Sequence, residues 1–211
     1  MKEILWHGRG GQGAFTAAKL LGAAFSLSDG NYSLAFPAFG PERRGAPILA
    51  FTKLDSKTIG DRSQIKRADF VVYLDDTLFS SAAFYEIKEG GKIFVNTRKT
   101  TEELISLFSV GSNSTGGLGA PMLRIPSGQQ GAGNEALSDA SASVITFDAD
   151  SIALEILKLP VTNTVMLAVL AEETGLVSQK NLEEAIEFYM PSKLQAKNIA
   201  IIERIFKRSA F

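Results

Sequence analysis

The chain has 211 residues, 45% apolar and 21% charged, and its 22 Lys and Arg against 23 Asp and Glu leave a formal charge of −1. That length suits one compact domain burying roughly 70% of the unfolded chain's surface, so no staple is required. A balanced charge argues against nucleic acid as the main partner, and the absence of Cys excludes a disulfide, a thiolate zinc site, a Cys nucleophile and a Cys-ligated iron–sulfur cluster from this chain.

In chain order, Ile4-Leu5-Trp6-His7 reads as a first strand, too short an apolar run for a signal peptide. Gly8-Arg9-Gly10-Gly11-Gln12-Gly13 is a turn, and residues 14–27 follow as a helix with Ala14, Ala17, Ala18, Leu21, Ala24 and Phe25 near a 3.6 period. Strands are expected over 32–37 and 48–54, with a hairpin turn at Asp55-Ser56-Lys57. A helical turn is expected at 65–68, then a buried strand over 70–74, with Asp75-Asp76-Thr77 capping a helix that Gly90-Gly91 ends. Another strand covers 93–96, and Thr100 or Thr101 with Glu103 forms a capping box for a helix over 100–108.

Seven glycines between Gly111 and Gly133 mark a long Gly/Ser-rich loop or insertion at about 109–142, with room for a short hairpin at 121–125. A strand over 144–147 follows, and Asp148 or Asp150 caps a helix to Leu157. The last third is helical, over 163–173, 179–189 and 192–207. No internal repeat is visible, and no stretch reaches the ~20 apolar residues of a membrane span. Alternating strands and helices predict one α/β domain over 1–211, a three-layer α/β/α sandwich with a mixed, mostly parallel sheet.

Gly8-x-Gly10-x-x-Gly13 between a strand and a helix has the form of a dinucleotide fingerprint. That reading wants an acidic residue after the second strand, but the nearest, Asp29, stands before it. A P-loop fails because Ala14 and Phe15 stand where Lys and Ser or Thr belong. Two readings stay open: a tight strand-to-helix turn that needs small residues, or an anion site using the helix N-terminus with Arg9 inside the turn. His7 is the sole histidine and lies at the strand's C-terminal end, where it reads as a structural hydrogen-bonder; no catalytic constellation and no metal site is read from the chain.

The loop Phe36-Pro37-Ala38-Phe39-Gly40-Pro41-Glu42-Arg43-Arg44-Gly45-Ala46-Pro47 sets paired guanidiniums among rigid apolar residues. Either this is a contact surface, or the phenylalanines point inward and the arginines into solvent.

These residues carry a resemblance. The glycine turn opening a helix, the Phe-Pro-x-Phe-Gly-Pro-Glu-Arg-Arg-Gly-Ala-Pro run, Ala68-Asp69-Phe70-Val71-Val72, Pro160-Val161-Thr162-Asn163-Thr164-Val165-Met166-Leu167 and Lys193-x3-Lys197-Asn198 occur in order along most of the chain. Together they resemble the gamma subunit of 2-oxoacid:ferredoxin oxidoreductases, most closely the pyruvate and 2-oxoisovalerate type. The Gly/Ser-rich stretch departs from that pattern.

The absence of Cys leaves a cytoplasmic protein as the simplest reading, and the resemblance implies a subunit of a complex that oxidatively decarboxylates a 2-oxoacid to an acyl-CoA and passes electrons to ferredoxin. It implies thiamine diphosphate, Mg²⁺ and [4Fe-4S] clusters in partner alpha, beta and delta chains, with coenzyme A as co-substrate. It makes Gly8, Arg9, Gly10, Gly11, Gln12 and Gly13 candidates for anion or cofactor contact. Phe36, Pro37, Phe39, Glu42, Arg43, Arg44 and Asn163 become candidates for an interface or for coenzyme A. The alternative is a free-standing Rossmann-like nucleotide-binding oxidoreductase.

Overall fold

The structure, a computed structural model, describes residues 1–38, 44–109 and 143–210. Among them are strands β1 (Lys2–Arg9), β2 (Tyr32–Pro37), β3 (Pro47–Asp55), β4 (Ala68–Tyr73), β5 (Ile87–Asn96) and β6 (Ser143–Phe147). The helices are α1 (Ala14–Ser26), α2 (Ala83–Glu86), α3 (Thr101–Ser109), α4 (Ala149–Leu157), α5 (Asn163–Thr174), α6 (Gln179–Tyr189) and α7 (Ser192–Phe206). The strands form one sheet in the order β2-β3-β1-β4-β5-β6. β1, β4, β5 and β6 are mutually parallel, while β3 runs antiparallel to both β1 and β2. The sheet is thus mixed and mostly parallel, as expected.

The two faces are covered unequally. Along β1, Ile4 and Trp6 face one way and Leu5 the other, the strand period of two separating two cores. The thick side packs α1, α4, α5, α6 and α7 over Ile4, Trp6, Ala50, Leu54, Val72 and Phe94. α1 approaches closely because its inner stripe is small: Ala14, Ala17, Ala18 and Ala24 are buried, and a Cβ on Gly22 would stand 3.1 Å from Ser33 Oγ. Every residue of α5 from Asn163 to Ala171 is buried, which is why its apolar pattern has no polar face. The thin side is filled by Leu5, Phe51, Val71, Tyr73, Ile93 and Val95 beneath Phe79, Ala83 and Leu104 from the short covering segments.

Local signals hold where side chains close their own caps. Thr100 N donates to Glu103 Oε2 at 2.8 Å and Glu103 N to Thr100 Oγ1 at 3.2 Å, the reciprocal box that starts α3. Asp148 accepts from Ser151 N at 3.0 Å to start α4.

Three local expectations are corrected. The turn at Asp55-Ser56-Lys57 is not a hairpin: β3 pairs with β2 and β1, and the chain then crosses to place β4 on the far side of β1. Residues 65–67 are not helical; Ile65 tucks into the thin-side core ahead of β4. Gly90 and Gly91 lie inside β5 and end no helix, because α2 stops at Glu86. Gly90 has φ +70, the β4–β5 register shifts between Ala68 and Phe70, and a Cβ on Gly91 would lie 2.8 Å from the Asp69 carbonyl. The glycines serve a kinked strand held close to its neighbour. The proposed hairpin at 121–125 lies outside the described residues, as does the Gly/Ser-rich stretch beyond Ser109.

A charge network ties the N-terminal edge of the sheet. Asp69 accepts from Lys2 Nζ at 3.0 Å, Lys88 Nζ at 2.7 Å and Glu3 N at 3.0 Å. Burial raises the Asp69 pKa, but these bonds outweigh it and hold the carboxyl below its ordinary value. The folded chain therefore binds fewer protons than the unfolded one as pH falls. Stability contributed here is full above the unfolded value of 3.8 and is lost as pH drops through the lowered one. Tyr73 acts at the other end: burial, then the Glu86 charge and its hydrogen bond, push the phenol up, so its contribution is present below about pH 10 and lost above it. The expected melting temperature falls as pH drops below the unfolded carboxyl value of 3.8. Asp69→Asn should flatten the acid limb, as read by thermal unfolding.

Candidate functional site

The C-terminal edge of the parallel strands gathers the glycine turn, the end of β4 and the N-termini of α1 and α5, the side where α/β proteins place ligands. Gly13 is the N-cap of α1 in the left-handed region, φ +82. The Asn163 amide, at the first turn of α5, donates to the Gly13 carbonyl at 3.3 Å, and a Cβ on Gly13 would stand 2.6 Å from Asn163 Nδ2. Gly8 is glycine for packing, since a Cβ there would lie 3.2 Å from Ala14 Cβ and 3.3 Å from Leu74 Cδ1. Gly11, φ +98, faces open space and answers to backbone conformation alone.

The turn closes on itself and on its neighbours. Arg9 N donates to Gln12 Oε1 at 2.7 Å, and Gln12 Nε2 reaches Asp75 Oδ2 at 3.3 Å. Gly10 N donates to the Ala46 carbonyl at 2.8 Å, and Gly45 N to the Gly10 carbonyl at 3.0 Å. These bonds extend the β1–β3 ladder and stitch the end of the β2–β3 connection to the glycine turn. Arg44 is exposed beside this seam.

Three cross-strand pairs run outward along the thin face of β1 and β4. Leu5 sits beside Val71 in the core, and His7 stacks on Tyr73 with centroids 4.2 Å apart and planes 10° apart. Beyond them Arg9 Nε meets Asp75 Oδ2 at 2.8 Å. Glu86 of α2 covers the middle pair, 2.8 Å from His7 Nε2 and accepting from Tyr73 Oη at 3.1 Å. The sole histidine is thus held between Tyr73 and Glu86.

Phe36 lies at the other edge of the sheet, against Phe51 on the thin face with centroids 5.1 Å apart, and Pro37 is half-buried beside it. Phe39, Glu42 and Arg43 lie outside the described residues. The structure therefore brings together the glycine turn, Asn163 and Arg44, and leaves Phe36 and Pro37 apart from them.

The Rossmann alternative meets a geometric objection. A ribose-binding acid belongs at the end of a parallel strand beside β1, but antiparallel β3 takes that place, and Asp29 is exposed in the turn before β2 at the sheet's edge.

Comparison with known proteins decides the family. Residues 3–208 match the family model "Pyruvate ferredoxin/flavodoxin oxidoreductase". The pyruvate/ketoisovalerate oxidoreductases common subunit gamma of Thermococcus litoralis is 40% identical over 210 residues, 99% of this chain and 97% of that protein. The chain belongs to the pyruvate ferredoxin/flavodoxin oxidoreductase family. Within that family it is a gamma-type chain. The pyruvate synthase subunit PorC of Methanothermobacter marburgensis is 39% identical, covering 94% of this chain and 92% of that one. The crystal structure of pyruvate oxidoreductase subunit PORC from Thermotoga maritima superposes with a TM-score of 0.71 at 30% identity, over 98% of this chain and 97% of that one. Among the described residues, no helix of this oxidoreductase subunit is long and apolar enough to cross a membrane.

Four residues at this edge were not singled out as site candidates from sequence: Tyr73, Asp75, Thr77 and Glu86. Asp75 and Thr77 read only as a helix cap, and Asp75 does accept from Thr77 N at 3.0 Å to start the one-turn 3-10 helix Asp76–Leu78. The usable signal was position, since both follow a strongly apolar strand at its C-terminal end. Glu86 carried no signal, being 79 residues from the histidine it holds.

Proposed function

We propose that this chain is the gamma subunit of a cytoplasmic complex that oxidises pyruvate or a branched-chain 2-oxoacid to its acyl-CoA and delivers electrons to ferredoxin. The observation that carries this reading is the end-to-end match to a chain named as a common gamma subunit of pyruvate and ketoisovalerate oxidoreductases. A chain without Cys cannot hold a Cys-ligated cluster, which fits a division of labour with partner alpha, beta and delta subunits. In that division thiamine diphosphate with Mg²⁺ supplies the decarboxylation chemistry and [4Fe-4S] clusters carry the electrons, all in the partner chains. This chain contributes the glycine-turn edge, with exposed Arg44 beside it as the cation available to coenzyme A or to a partner carboxylate.

The test is an anaerobic pull-down of tagged chain, with the co-purifying chains identified by mass spectrometry. The eluate is assayed for CoA-dependent viologen reduction with pyruvate, 2-oxoisovalerate and 2-oxoglutarate. Stoichiometric partners and 2-oxoacid-dependent reduction support the reading, whereas a lone colourless chain without activity sinks it. In the active complex, Arg44→Ala and Arg43→Ala are each expected to raise the apparent KM for coenzyme A several-fold or to loosen assembly. Wild-type assembly and kinetics in both would remove the arginines from the contact.

A further inference from the structure

The glycine turn offers one guanidinium, and all three of its nitrogens are already engaged. Arg9 Nε donates to Asp75 Oδ2 at 2.8 Å, Nη1 to the Gly45 carbonyl at 3.2 Å, and Nη2 to Thr77 Oγ1 at 2.7 Å. Asp75 is equally occupied: Oδ2 also takes Gln12 Nε2 at 3.3 Å, while Oδ1 takes Thr77 N at 3.0 Å and Thr77 Oγ1 at 2.5 Å. The Asp75 side chain is 17% exposed, so solvent competes weakly for the carboxylate, while Arg9 at 33% keeps one side open to water. Charge-assisted bonds of this kind are about twice as strong as neutral ones. The anion that the turn holds is the chain's own carboxylate.

The cluster joins three segments distant in sequence: the turn after β1, the residues after β4, and Gly45 at the end of the β2–β3 connection. Gly45 is held twice, through its carbonyl by Arg9 and through its N–H by the Gly10 carbonyl. Its neighbour Arg44 is exposed at the surface. We infer that Asp75 is a positioning residue: by clamping Arg9 against Gly45 and Thr77, it fixes where Arg44 is presented at the C-terminal edge of the sheet. This rests on the gamma-subunit reading for its consequence in catalysis, but not for its geometry.

Two measurements test it. In the isolated full chain, tryptic cleavage of the Arg44–Gly45 bond is followed by mass spectrometry under native conditions. Asp75→Asn is expected to speed that cleavage at least tenfold, and Lys180→Ala, which breaks a remote surface pair with Glu184, to leave it unchanged. Thr77→Val, at an exposed position, removes two of the bonds without touching the core and must act in the same direction even if Asp75→Asn folds poorly. An Arg9→Ala/Asp75→Ala double variant should cleave no faster than the faster single, because both act through one contact. In the assembled complex, Asp75→Asn is expected to raise the apparent KM for coenzyme A at least threefold with kcat within twofold.

Cleavage less than threefold faster in both Asp75→Asn and Thr77→Val overturns the clamp. Faster cleavage with KM unmoved overturns the positioning role, leaving Asp75 as architecture only. Failure of the subunit reading would show separately, as a wild-type complex without 2-oxoacid activity.

Discussion

Gly13→Ala is expected to cost about 2–4 kcal/mol, the sum of a left-handed backbone penalty of roughly 1–2 and crowding of roughly 1–3, less a few tenths recovered from the unfolded chain. For a chain of this size that lowers the melting temperature by on the order of 5–15 °C. Both causes are visible at one residue: φ is +82, and the new Cβ would meet Asn163 Nδ2 at 2.6 Å and Cγ at 3.0 Å. Asn163 cannot simply swing away, because it is 5% exposed and its amide serves the Gly13 carbonyl. Gly11→Ala is the control. Its φ is +98 but nothing lies within 4 Å, so it should show the backbone part alone. The difference between the two variants isolates the packing of α5 on the start of α1. Gly13→Ala/Asn163→Ser should regain part of that difference, since the shorter side chain makes room while the strained φ persists. Equal losses in Gly13→Ala and Gly11→Ala would show that Asn163 yields freely and that the contact does not specify the turn.

The same residues show why part of the fold was legible and part was not. The α3 capping box, the Asp148 cap of α4 and the small-residue stripe of α1 were readable because each is closed by residues within a turn or two in sequence. The errors lie where a local signal has two global outcomes. Asp55-Ser56-Lys57 does turn the chain, but only the sheet decides whether the next strand pairs back or crosses over β1. Gly90-Gly91 reads equally as a helix stop or as a kink in a strand, and the closeness of Asp69 in β4 settles it.

At the site, the glycines, Asn163 and the Arg44 loop could be named from sequence because a resemblance carries them together. Asp75 and Glu86 could not be tied to Arg9 and His7, since separations of 66 and 79 residues leave no periodic trace. That gap matters for function. From sequence Arg9 favoured an anionic ligand or partner, whereas in the fold it is paired with Asp75, and among the described residues of the turn and its loop the exposed guanidinium is that of Arg44.

Thr52→Val is expected to cost about 1–3 kcal/mol although it keeps the side-chain shape, because it leaves a buried donor without an acceptor. Trp6 is fully buried, and its Nε1–H donates to Thr52 Oγ1 at 3.1 Å; that hydroxyl in turn donates to the Ala18 carbonyl at 3.1 Å. The relay links β1, β3 and α1 directly beneath the glycine turn. Trp6→Phe removes the donor and some buried area while leaving the Thr52 bond to Ala18 intact. The Trp6→Phe/Thr52→Val double variant removes both ends of the relay, so it should lose less than the sum of the singles by roughly 1 kcal/mol or more. Thermal unfolding of the four proteins gives the coupling, and Trp6, the only tryptophan, reports on the site by its fluorescence in wild type and Thr52→Val. A sum that is strictly additive would mean the hydroxyl is not what holds the indole. The orientation of β1 under α1, and with it the line of His7, Arg9 and the turn, would then rest on packing of the ring alone.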